Sequence, residues 1–377
     1  MSQIKVEAFN DRTDARVLRL DLPSKRARTP QRALTAKIGG VSELSLLSDE
    51  INIAEIYKNI SVEKLDDING DKDKQDDFTR DYLRPIGAIR PNTIVVGIFE
   101  INTSKQSLEA RHIDYISDLV AAPQVDVVAT PLFSPKGNNE AWFNLTKRFV
   151  ENVSDKSIIA SIPTMPHEHV GSFVERLLKL DIRIFALDFN GTNPTSNTKY
   201  PQVRAIKRVF KSVEKDSDAL LLYGFNVKYG KIVSPASVVP AGDMVSPAFG
   251  VDIFGTNHKR AFPKVPLAKP VLRVFDDRTN FYRDLNDIKQ SSYVQDLPSC
   301  KFSTQRFSVI VDPREKNDYL KCVNAERQTR ELINVKRTIE DNSTHEYLNS
   351  KEGIRNERNL QRLFDEHRSH TSLLDLL

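Results

Sequence analysis

Short apolar, β-branched runs return along the chain at intervals of roughly 30 residues, and this spacing limits the available folds more than any other feature. They occur at Thr93–Ile98, Val125–Ala129, Ser157–Ile162, Ile182–Phe189, Ala219–Phe225 and Phe249–Phe254. Near-continuous apolar runs of this length suit strands covered on both faces, as in a parallel sheet. Amphipathic stretches lie between them at Ser107–Ala121, Asn139–Val150, His169–Leu180 and Pro201–Val213. In the first of these, Leu108, Ile113, Ile116, Leu119 and Val120 keep close to helical spacing behind a capping-type serine. Strand alternating with helix predicts repeated βα units. With further strands near Arg32–Lys37 and Pro270–Phe275 the count reaches eight, and no glycine-rich dinucleotide loop follows the first strand. The expectation is therefore an α/β fold, a (β/α)8 TIM-like barrel over residues 1–300, with a charged helical extension over 301–377 packed on the barrel or extending from it.

Composition sets outer bounds. A chain of 377 residues that is 39% hydrophobic and 28% charged can bury a core of ordinary size. Its net charge of +4 permits a phosphate or nucleic-acid partner without requiring one. There is no apolar run of 18 or more residues and no signal-like start, and the two cysteines, Cys300 and Cys322, cannot form a disulfide framework, so a reducing cytoplasmic setting is expected. Leu65–Asp81, dense in Asp and Lys, reads as a solvated loop; its D-I-N-G-D-K-D lacks the ordered acids and closing Glu of a calcium loop. No metal or cofactor is expected.

Tyr319–Glu340 reads Y-L-K-C-V-N-A-E-R-Q-T-R-E-L-I-N-V-K-R-T-I-E, and it resembles the Arg-rich helix that follows the zinc site of the guanine transglycosylases: Asn324 keeps its place, Val323 stands at the zinc histidine, and Lys336, Arg337, Thr338 and Ile339 echo the helix end. Thr29–Thr35 (T-P-Q-R-A-L-T) is similar to the first strand. Gly250–Arg260 (G-V-D-I-F-G-T-N-H-K-R) resembles the family's Gly-x-Asp-x-Phe-Asp segment, with Asp252 retained and Gly255 at the position of the nucleophilic second Asp. The family's Asp-Ser-Gly-Gly-Phe-Gln motif has no copy, since the matching region reads G-I-F-E-I-N-T-S-K-Q (Gly97–Gln106), and its zinc quartet is reduced to Cys300 at most. The resemblance implies exchange of guanine for a 7-deazaguanine base in DNA or tRNA, with nucleic acid and that base as partners, and it permits a homodimer.

In a barrel, chemistry sits at the C-terminal strand ends. Base exchange needs two acids in different roles, and Asp188, Asp252 and Glu100 are the candidates. Asn190, Gly191, Asn226 and His258 are candidates for holding the base. Arg204, Lys207, Arg208 and Lys211, at helical spacing, and Lys259 and Arg260 are candidates for phosphate contact, with Arg327, Arg330, Lys336 and Arg337 adding charge in the tail. Each has a plainer alternative: Asp188 as a turn cap, Asp252 as the partner of a buried Arg, Glu100 as a helix-start acid, the basic set as a solvated face. His167 and His169 read as an exposed helix start. Two other functions stay open, a catalytically silent homologue that binds nucleic acid or a partner subunit, and an unrelated barrel enzyme acting on a phosphorylated small molecule.

Structural zinc needs four ligands, and two cysteines beside Val323 do not supply them. Protein dialysed against a chelator should hold no stoichiometric zinc by elemental analysis; one retained equivalent per chain would contradict this.

Overall fold

The computed structural model describes residues 3–37, 40–133, 139–215, 218–228, 236–259, 271–287, 294, 296–358 and 360–365. Its centre is a parallel sheet of β4 (Gln31–Arg32), β5 (Leu34–Thr35), β6 (Ile53–Ser61), β7 (Ile94–Asn102), β8 (Val127–Ala129), β9 (Ser157–Ile162), β10 (Ile184–Asp188), β11 (Leu221–Val227) and β13 (Ile253–Thr256). The spatial order begins with β4, then β13, and ends with β6, then β5. Yet β4 and β5 are successive pieces of one run interrupted at Ala33, whose N–H donates to the Phe254 carbonyl at 2.9 Å. The two ends of the order thus meet in the chain, and the sheet curls into a TIM-like barrel.

Helices cover the outside: α1 (Val62–Asn69), α2 (Lys72–Leu83), α3 (Ala110–Val120), α4 (Asn139–Asn152), α5 (His167–Leu178), α6 (Tyr200–Val213) and α7 (Pro313–Glu340), with the short α8 (Thr344–Ser350) and α9 (Glu352–Arg355) after them. Among the described residues no helix is long and apolar enough to cross a membrane. The N-terminal antiparallel sheet of β1 (Gln3–Phe9), β2 (Arg16–Asp21) and β3 (Arg26–Arg28) closes the barrel floor. There Ile4, Leu18, Leu20 and Ala27 pack with Ile53, Ile94, Ala219 and Ile253, which lie at or just before the starts of barrel strands.

Three sequence expectations need correction. The Pro270–Phe275 run is not a barrel strand. Of it, residues 271–275 are described, and β14 (Arg273–Asp276) pairs antiparallel with β15 (Phe281–Asp284), which pairs with β12 (Val238–Pro240) in a separate sheet. The strand that completes the barrel is β6, whose inward side chains Glu55, Tyr57 and Asn59 hide its pattern. The run at Phe249–Phe254 is in fact a 3-10 turn over Ser246–Phe249, a left-handed Gly250 at φ +78°, and a strand that starts only at Ile253. Leu65–Asp81 is helical rather than a loop. The Ser61 hydroxyl and Asp71 carboxylate cap α1 and α2, and Val62, Leu65 and Ile68 point inward, leaving the charged residues to solvent.

The tail covers the barrel wall beside β4. From Cys322 to Lys336 burial runs almost all round α7, and several of its polar side chains bond to the strands and loops beneath. Asn324 accepts from the Phe275 N–H at 2.8 Å and donates to the Arg273 carbonyl at 2.9 Å. Arg327 is buried on Asp296 at 3.0 Å, and Lys336 is buried too, so neither is a surface cation.

Asp252 precedes β13 and therefore lies at the barrel's N-terminal end. Both its oxygens meet Arg16, at 2.8 and 2.9 Å, and one also accepts the Leu222 N–H at 2.7 Å. Arg16 reaches on to Glu214 at 2.6 Å. Removing one partner of such a buried pair strands the other, so Asp252→Ala should cost about 3–5 kcal/mol in urea unfolding. A loss below about 1 kcal/mol, the range of exposed pairs, would contradict this.

Candidate active site at the barrel mouth

Side chains alternate along each strand, so Ile53, Glu55, Tyr57 and Asn59 of β6 share the barrel's inner face, as do Ile94, Val96, Ile98, Glu100 and Asn102 of β7. Register places Tyr57 beside Ile98 and Asn59 beside Glu100. The lower inward positions are apolar core. Towards the C-terminal end they turn polar, and there a cleft of about 390 Å³ opens between Asn59, Glu100, Asn102, Trp142, Asp188 and Lys259.

Asp188 ends β10 and is held by three donors. Its Oδ1 accepts the Asn190 N–H at 2.9 Å and the Asn226 side-chain amide at 3.0 Å, while Oδ2 accepts Lys259 Nζ at 2.7 Å. These contacts depend on two unusual strand ends. Asn190 and Gly191 take left-handed φ values of 52° and 76°, and Asn226 one of 53°. The Gly191 N–H then donates to the Asn226 carbonyl at 2.9 Å, and the His258 N–H to the Asn226 side-chain oxygen at 3.0 Å. The Asn257 side chain lies against Gly191, 3.4 Å from where a Cβ would be.

Lys259 is the hub. Besides Asp188 it meets Glu100 Oε1 at 3.3 Å. Burial opposes its charge, but the two carboxylates outweigh that and hold the ammonium above the usual lysine range. The Tyr57 hydroxyl donates to Glu100 Oε2, and burial together with that bond raises the phenol. The Tyr57 ring stacks on His258 with centroids 4.2 Å apart and planes within 8°. Below them His258 Nε2 meets Glu55 Oε2 at 2.8 Å, and the Tyr223 hydroxyl donates to Glu55 Oε1 at 2.7 Å.

Asp188, Glu100, Asn190, Gly191, Asn226, His258 and Lys259 are thus gathered at one mouth. Asp252 is at the opposite end. Glu55, Tyr57 and Tyr223 were not among the expected residues. The available signal was a glutamate inside the strand-like run I-N-I-A-E-I-Y-K-N-I over 51–60.

The basic set does not share one solvent face. Arg208 is exposed, and Arg204 is half-buried with its guanidinium 5.6 Å from the Tyr200 ring centroid. Lys211 is exposed but pairs with Asp14 at 3.0 Å. Lys207 instead points inward, 5% exposed, with its ammonium 5.4 Å from the Phe210 ring centroid. A four-residue set covers a wide arc of α6, and position 207 falls on its apolar side beside Val203, Ile206 and Phe210. Arg260 lies outside the described residues. His167 and His169 are exposed at the start of α5.

Two carboxylates on one ammonium, beside a cleft with amide and aromatic walls, can support nucleophilic attack paired with proton transfer. A scan against protein-family models finds no match to this chain, and a search of curated proteins finds none either.

Burial, reinforced by the Arg16 charge, pushes Lys207 down to about 8 from 10.5. The unfolded chain therefore keeps this proton over the window between those values, where the folded chain has released it, and Lys207 adds stability as pH rises through it. Compared with Lys207→Met, stability should climb by up to about 1.4 kcal/mol per pH unit there. Parallel pH–stability curves for the two proteins would contradict this.

Proposed function

We propose that the chain is a base-exchanging transglycosylase, replacing guanine with a 7-deazaguanine base in DNA or tRNA, with Asp188 and Glu100 as its two acids. The observation that carries this reading is their shared contact with Lys259. Because both carboxylates touch one ammonium, at 2.7 and 3.3 Å, their facing oxygens are no further apart than the sum of those distances. Acids held this close suit double displacement through a covalent glycosyl-enzyme, in which the two carboxyl groups stand roughly 5–5.5 Å apart. Exchange of one base for another needs such an intermediate.

Asp188, fixed by two neutral N–H donors as well as Lys259, attacks the anomeric carbon. Glu100, protonated once substrate has displaced Lys259 from it, gives that proton to the departing guanine and, again a carboxylate, takes a proton from the incoming base as that base displaces Asp188. Lys259 yields its place between the acids when substrate enters and screens their charge. In this reading the protein works in the cytoplasm, and Arg204 and Arg208 of α6 add phosphate contacts. The second acid is Glu100 in place of Asp252, whose pairing with Arg16 supports a structural role.

A second reading, the silent homologue, draws on the same hub: Lys259 already satisfies both carboxylates, and Gly255 offers none. Incorporation of labelled guanine into DNA and tRNA separates the two. Asp188→Asn and Glu100→Gln should each lower exchange by about 10²–10⁴-fold with folding intact. Full activity in both variants would remove this site from the account, while a wild type that binds nucleic acid and never exchanges base would favour the silent homologue.

A further inference from the structure

We infer that Glu55 is a positioning residue, which sets Glu100 from the barrel centre through His258 and Tyr57. This rests on the proposed function in one respect, that Glu100 is a working acid.

Glu55 is fully buried on the inner face of β6. A carboxylate there is costly unless its oxygens are bonded, and both are, one by Tyr223 and the other by His258. Fixing Nε2 leaves the imidazole little freedom to turn. Its flat face in turn supports the Tyr57 ring, and the Tyr57 hydroxyl ends on Glu100. The three contacts run in series from the interior to the cleft, and Glu100 is their only member that lines it.

The facing strand is shaped for this group. A Cβ at Gly255 would lie 1.9 Å from Glu55 Oε1 and 2.5 Å from its carboxyl carbon, too close for any side chain. Barrel interiors are ordinarily filled by branched apolar residues. Here an inward position is left bare so that an acid from the next strand but one can fill it. An apolar pair would meet the packing need at lower electrostatic cost, so packing alone does not account for the choice.

The test uses the full chain labelled for NMR, reading the His258 ring nitrogens and the Glu100 side-chain carboxyl carbon. Each resonance is assigned by its loss in His258→Asn and Glu100→Gln. Glu55→Gln keeps size and removes charge. It should move both resonances and, where base exchange is measurable, lower kcat about 10–100-fold with KM changed less than about twofold. Tyr57→Phe, which leaves the Glu55–His258 contact whole, should move the Glu100 resonance and lower kcat likewise; it carries the test should Glu55→Gln fail to fold. An unmoved Glu100 resonance in the folded variants would overturn the proposal and leave Glu55 as interior packing. A wild type that exchanges no base would sink the proposed function alone, because the Glu100 resonance still decides whether Glu55 positions it.

Discussion

The barrel depends on a single short seam. Residues 31–35 give two backbone positions to β13 and two to β6, with Ala33 turning between them. Without this seam the sheet would end in two open edges at its centre, each with unpaired N–H and C=O groups. The seam also determines the interior. Because the first strand is so brief and small, β6 and β13 come close across it, and an inward side chain from one reaches the space of the other. Glu55 and Gly255 are the visible result. Thr35 pairs in register with Glu55, and the Ala36 N–H donates to the Glu55 carbonyl at 2.9 Å, so the seam holds the backbone of the residue that fills the gap.

The two barrel ends use the same residue types to opposite effect. At the N-terminal end Asp252 and Arg16 are 1% and 8% exposed and saturate one another. At the C-terminal end Asp188, Glu100 and Lys259 are 17%, 18% and 27% exposed. A pair sealed from solvent cannot change partners without breaking the fold around it. A pair open at one side can pass a hydrogen bond to an arriving group, and only the mouth has that freedom. Exposure, rather than charge, separates the candidate site from the structural pair here.

The sequence shows the barrel where strands are apolar on both faces and hides it where polar side chains line the inner face. Ser157–Ile162 is legible to the residue, since both its faces are covered. β6 is concealed because its inner face carries Glu, Tyr and Asn, the very residues that make it interesting. The acids of Leu65–Asp81 obscure two helices whose apolar positions keep helical spacing. Asp188, Glu100, Asn226 and His258 could be found because they lie at or just beyond strand ends. Alternation tells against Asp252: it stands three residues from the inward-facing Gly255, and its carboxylate meets Arg16 instead. The charge of Lys207 marks it as a surface residue in the sequence, while its helix phase places it on the core side.

The long α7 has a consequence for how the chain is made. It packs on β4 and on the N-terminal β1 and β2, elements more than 280 residues earlier in the sequence. As the chain leaves the ribosome, the first strand and the hairpin before it lack the cover that this helix gives them until it emerges. Contacts so distant in sequence carry a large closure cost and form late, and partly built barrels expose apolar strands meanwhile. The seam at residues 31–35 is thus the first barrel strand to be synthesised, and the helix that covers it is made only after every other barrel strand.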